Sequence, residues 1–102
     1  MWSYSLEITY PGDLHRPWWT ISRAGRRRQI AAALRELAAR LGRDPLAADD
    51  AQWCRYQCQI RDEFGTSIHE HTALLAVSEV VTALLATAAR AEDYCAAASS
   101  NE

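Results

Sequence analysis

Thr66-Ser67-Ile68-His69-Glu70-His71-Thr72 leads into an apolar run at 73–89 broken only by Ser78, Glu79, Thr82 and Thr87. The reading of this stretch decides the fold. Ser67 and Glu70 have the spacing of a capping box, which predicts a helix beginning at Ile68. Neither Pro nor Gly interrupts the chain from there to 102. At 100° per residue, Leu74, Val77, Val80, Val81, Leu84, Leu85 and Ala88 fall on one wide face, and Ser78, Glu79, Thr82, Ala86 and Arg90 lie on or near the other. One long core helix is the expectation, with 66–98 as its bounds.

Immediately before it, 45–64 reads two ways. Cys54, Tyr56, Cys58 and Ile60 alternate with Arg55, Gln57, Gln59 and Arg61, as in a half-buried strand. As a helix, Leu46, Trp53, Tyr56, Ile60 and Phe64 share a stripe. Asp44 then serves as N-cap, Pro45 opens the first turn, Asp49 and Asp50 suit the positive end of the helix dipole, and Gly65 closes it. The helix accounts for more of the large residues and is the favoured reading.

Further back, Ile30, Leu34, Leu37 and Leu41 mark an amphipathic helix over 26–41. Glu36 and Arg40 pair on its outer side, and Gly42 and Pro45 stop it. Over 2–10, Trp2, Tyr4, Leu6, Ile8 and Tyr10 alternate with Ser3, Ser5, Glu7 and Thr9, which predicts a strand. Tyr10-Pro11-Gly12-Asp13 supplies a turn, and 18–22 a second strand pairing back on the first. The fold class expected is α+β: an N-terminal β-hairpin packed on a three-helix, mainly α domain. It forms one compact domain over 1–98, with a frayed tail at 99–102. No internal repeat stands out.

A chain of 102 residues, 49% hydrophobic and 24% charged, has the composition of an ordinary globular domain. The N-terminus lacks the basic and apolar regions of a secretory signal. The run at 73–89 is short for a membrane span and carries Glu79 at its middle. Three cysteines form no regular framework, so a cytoplasmic location is expected and no membrane is implied. Every one of the eleven basic residues is Arg. Residues 1–43 hold eight Arg against three carboxylates, a net of +5, and residues 44–102 hold three Arg against ten, a net of −7. Such polarity points to partners or to self-association.

Two clusters stand out as contact surfaces. Arg16, Arg23, Arg26, Arg27 and Arg28 surround Trp18 and Trp19, a combination that can neutralise phosphates and stack on bases, or pair with an acidic protein surface, including this chain's own acidic half. Asp49, Asp50, Asp62 and Glu63 could form an opposed acidic face that mimics nucleic acid toward a basic partner. A helix-turn-helix is excluded, because the helix meant for the groove would carry those four carboxylates. His69-Glu70-His71 is not a zinc motif: on a helix, alternate residues face different sides. A Cys54, Cys58, His69 and His71 site would require 69–71 to be non-helical, and neither a metal nor a cofactor is expected. No glycine-rich phosphate loop, nucleophile elbow or close acid pair is present, so no catalytic residue is assigned and the chain is not expected to be an enzyme.

The function expected is that of a small, non-catalytic regulatory protein that binds and occludes a larger protein partner. Antitoxins and phage-encoded inhibitors of host defence, such as anti-CRISPR proteins, are examples of that type. The apolar helix face and the hairpin edge also allow a homodimer. The alternative is a nucleic-acid-binding module working through 16–28.

Overall fold

The computed structural model describes residues 1–48 and 51–100, with side chains as far as residue 94. The chain runs β1 (Trp2–Tyr10), β2 (Asp13–Gly25), α1 (Arg27–Arg43), a 3-10 turn (Pro45–Ala48), β3 (Trp53–Arg61), β4 (Ser67–Ala76) and α2 (Val77–Ser100). The strands form one antiparallel sheet in the order β2-β1-β3-β4. Both helices contribute to a single core against one face of it. Tyr4, Leu6, Ile8, Cys54, Tyr56, Cys58 and Ile60 from the central strands meet Ile30, Leu34, Leu37 and Leu41 of α1 and Val77, Val80 and Leu84 of α2.

The α+β class therefore stands, but a hairpin on a three-helix domain is not what forms. The described residues contain two α-helices and four strands. Over 45–64 the alternation wins: Cys54, Tyr56, Cys58 and Ile60 are buried while Arg55, Gln57 and Arg61 are exposed, and Asp44 and Pro45 start only a single 3-10 turn. There the Asp44 carboxylate accepts the Leu46 N–H at 2.9 Å.

The long helix begins at Val77, nine residues past Ile68, because 67–76 is a strand paired along its length with β3. Its true N-terminal cap is formed by Glu79, whose Oε1 accepts the Ala76 N–H at 3.1 Å. Residues 101–102 of the expected tail lie outside the described residues.

The element order is one unit written twice: strand, strand, helix. In the antiparallel pairing of β1 with β3, Tyr4 faces Ile60, Leu6 faces Cys58 and Ile8 faces Tyr56. A two-fold axis between Leu6 and Cys58 thus exchanges Tyr4 with Tyr56 and Ile8 with Ile60. The correspondence extends outward. Both hairpins carry a register shift at the matching place, at Trp18 opposite Ile8/Thr9 and at Ile68 opposite Ile60/Arg61. Leu34 matches Leu84, Ala38 matches Ala88 and Leu41 matches Ala91, all buried. Gln29 accepts the Arg26 N–H at 2.9 Å just as Glu79 accepts that of Ala76. This repeat escapes the sequence because its offset changes from 52 residues between β1 and β3 to 50 in the later elements, and the matched positions of β2 and β4 share no identity.

Candidate interaction surface

The helices cover one face of the sheet; the other is uncovered among the described residues. It is built by strand alternation from Ser3, Ser5 and Glu7 of β1, Thr20 and Ser22 of β2, Arg55, Gln57, Gln59 and Arg61 of β3, and Glu70 and Thr72 of β4. A shallow depression lies along it between Ser5, Ser22, Gln57 and Thr72. The surface mixes Ser and Thr with longer Gln, Glu and Arg side chains and is rich in hydrogen-bonding groups of both kinds. Gln59 reaches Glu70 at 3.5 Å, and no ion pair among the described residues crosses it. At one end two large apolar side chains stand in solvent on neighbouring strands: Trp53 is 52% exposed and Leu74 is 48% exposed. On the pairing of β3 with β4 they share this face. The signal for Trp53 was its place in the outward phase of the Trp53–Arg61 alternation. Leu74 was hidden by its assignment to a helix core.

The arginine cluster is dispersed by the fold. Trp18 and Trp19 are half-buried against the core; Trp18 meets Tyr10 edge to face at 5.7 Å, and the Trp19 indole N–H is buried with no hydrogen-bond partner among the described residues. Arg16 lies over the Tyr10 ring at 4.2 Å. Arg27 turns inward and donates to the carbonyls of Ala91 and Glu92, at 3.4 and 2.5 Å, near the end of α2. Arg35 clasps the Glu92 carboxylate with both terminal guanidinium nitrogens. That hydrogen bond holds the Glu92 carboxyl below the usual carboxylate range. Part of the charge asymmetry is therefore satisfied inside the molecule, basic α1 against acidic α2. Arg23, Arg26 and Arg28 are exposed and make no ion pair among the described residues.

The acidic positions are not gathered by any described contact. Asp62 closes the β3–β4 turn, accepting the N–H groups of Phe64 and Thr66 at 2.9 and 3.0 Å, and Glu63 is exposed beside it. Asp49 and Asp50 lie outside the described residues, and the chain re-enters at the opposite end of β3.

Because 67–76 is a strand, His69 and His71 share one face, with ring centroids 6.3 Å apart, and both point under α2. They meet Tyr56, whose ring is edge-on to His71 at 5.3 Å, and Cys58, which is directly cross-strand from His71. His69 Nε2 is 3.3 Å from Thr87 Oγ1, which itself donates to the Ala83 carbonyl at 2.8 Å. Burial pushes the Cys58 thiol up, and that of Cys54 to about 11. Burial, reinforced by Arg90 and His71, holds His69 below the usual imidazole range. No group of three or more His, Cys, Asp or Glu among the described residues is placed to hold a metal ion. Cys54 and Cys58, four residues apart on a strand, are separated by about 13 Å.

No protein-family model matches the chain, and neither a curated protein nor a solved structure does. No helix among the described residues is long and apolar enough to cross a membrane.

Proposed function

We propose that this chain is a non-catalytic binding module that seats on a larger protein through the uncovered face of its sheet and occludes the surface it covers. The observation that carries the reading is the exposed pair Trp53 and Leu74 at the rim of that hydrogen-bonding face. A Trp in solvent beside a second large apolar group is the residue type that anchors protein interfaces, and a polar field around it supplies the rim. The mixed, nearly balanced charges of the face, Glu7 and Glu70 against Arg55 and Arg61, suit a protein better than a polyanion.

The test is capture of partners from the native extract on immobilised wild-type protein and on Trp53→Ala, with nuclease and high salt as parallel arms. The expected result is a discrete protein retained by the wild type through nuclease and salt and lost with Trp53→Ala. Equal retention by both proteins would reject the reading.

The alternative, a nucleic-acid-binding module, is favoured by one observation: Arg26 and Arg28 at the N-terminus of α1, and Arg23 on β2, stand exposed without an ion pair among the described residues. It requires affinity for nucleic acid that falls steeply with salt and is lost when those three are replaced by Ala.

A further inference from the structure

The repeat gives this molecule an internal comparison. Its two outer strands, β2 and β4, occupy equivalent places, and each borders a groove beside its own helix. The β2 groove is guarded: Arg23, Glu36 and Arg40 line it, and Pro17 sits in the strand. These are the devices that keep an edge strand from pairing with another chain. The β4 groove, lined by His71, Leu75, Thr82, Ala83 and Ala86, has lost all of them but one: Arg90 stands where α1 carries Arg40, outside this lining. Where β2 carries Arg23, β4 carries Ala73; where α1 carries Glu36, α2 carries Ala86. The lining's remaining carboxylate, Glu79, is engaged by the Ala76 N–H. The β4 strand itself contains no proline.

We propose that β4 pairs edge to edge with β4 of a second copy of this chain, joining two sheets into one of eight strands. Three features select a second copy. The groove lining holds one carboxylate, Glu79, and that is committed to the Ala76 N–H, so a charged partner finds little to pair with. The pairing repeats a junction the chain already makes, because β1 and β3 meet antiparallel about a two-fold axis. A two-fold antiparallel contact is also self-complementary and closes at two copies. The extent is adequate: a ten-residue strand is ~33 Å long. With the adjoining helix flank it covers roughly 500–700 Å² per copy, near the lower range of stable interfaces. In such a dimer Leu75, Ala83 and Ala86 pack against their own counterparts, and the outward backbone groups of β4 are paired.

Sedimentation velocity from micromolar to submillimolar concentration tests this. The wild type should double its mass. Ala73→Arg with Ala86→Glu, which restores the guards of the β2 groove, should weaken association by at least about ten-fold. Circular dichroism checks that this variant folds. Thr82→Lys, at an exposed position on α2 lining the same groove, provides a second disruption that leaves the strand untouched. Trp53→Ala should still dimerise, which separates this inference from the proposed function. A wild type that stays monomeric at submillimolar concentration would overturn the proposal. So would a dimer indifferent to both sets of substitutions, or mass that keeps growing past two copies, as β2-to-β4 chaining would produce.

Discussion

His69 and Thr87 face each other across the β4–α2 boundary at 3.3 Å, at positions where the first unit places Trp19 and Leu37. The second unit carries a polar pair where the first has two large side chains lining the same groove. With the Thr87 hydrogen committed to the Ala83 carbonyl, His69 Nε2 is the donor, and the ring is held neutral by burial, with Arg90 and His71 adding to it. The folded state thus binds this proton less readily than the unfolded chain. Stability should be level above the ordinary imidazole range and fall as the pH drops from about 6.5 toward the lowered value in the fold. Urea unfolding across that interval checks it, and His69→Gln should flatten the profile.

Tyr56 is fully buried, with its hydroxyl close to Thr87 and Cys58 but in full hydrogen-bonding geometry with neither. Burial pushes its pKa well up. Tyr56→Phe should therefore leave stability unchanged or raise it by up to about 1 kcal/mol. Tyr56→Ala, which opens a cavity at the sheet centre, should cost about 3–5 kcal/mol. Chemical denaturation of both variants distinguishes the ring from its hydroxyl; a large loss in the Phe variant would reveal a bonded hydroxyl.

Arg27 and Arg35 both reach toward the end of α2, but differently. Arg27 is half-buried and bonded to backbone carbonyls; Arg35 is exposed and bonded to a carboxylate. Arg27→Ala should cost about 1–2 kcal/mol through unpaired carbonyls and lost packing. Arg35→Ala should cost less, and its effect should fade with added salt. Thermal melts at low and high ionic strength separate the two.

Cys54 and Cys58 are buried thiols whose pKa values are raised. Neither should be alkylated by iodoacetamide at mildly alkaline pH in the folded protein, and both should react rapidly in urea. Peptide mapping by mass spectrometry reads this out site by site. Modification of Cys58 without denaturant would contradict its placement.

Glu79 and Gln29 perform the same capping reach in the two helices. Replacing either by Ala should cost about 0.5–2 kcal/mol, observable as a lower denaturation midpoint with an unchanged slope.

Much of the first unit was legible. Period-two alternation placed β1, and the leucine stripe placed α1, because each buries one regular face. The second unit misled for local reasons. Ser67 and Glu70 imitate the cap that Ala76 and Glu79 actually make. The register shift at Ile68 breaks the alternation of β4, whose buried phase carries histidines and whose open phase carries Leu74. In 53–61 the alternation was a true signal, outweighed by aromatic residues that happened also to fit a helical stripe. A helix over 66–98 places Leu74 in the core; only the strand at 67–76 turns it outward beside Trp53.

The junction between β1 and β3 has a kinetic consequence. Ser3 is paired with Arg61, and the whole first unit lies between them in sequence. Each hairpin and its helix can form from near neighbours, but the central seam closes only after a long loop has been brought together. The slow step of folding should then be the meeting of two partly organised halves. Substitutions at the hairpin turns, whose contacts precede that step, should slow folding by their full loss of stability, and those at Leu6 or Cys58 in proportion to how far the seam has closed in the transition state.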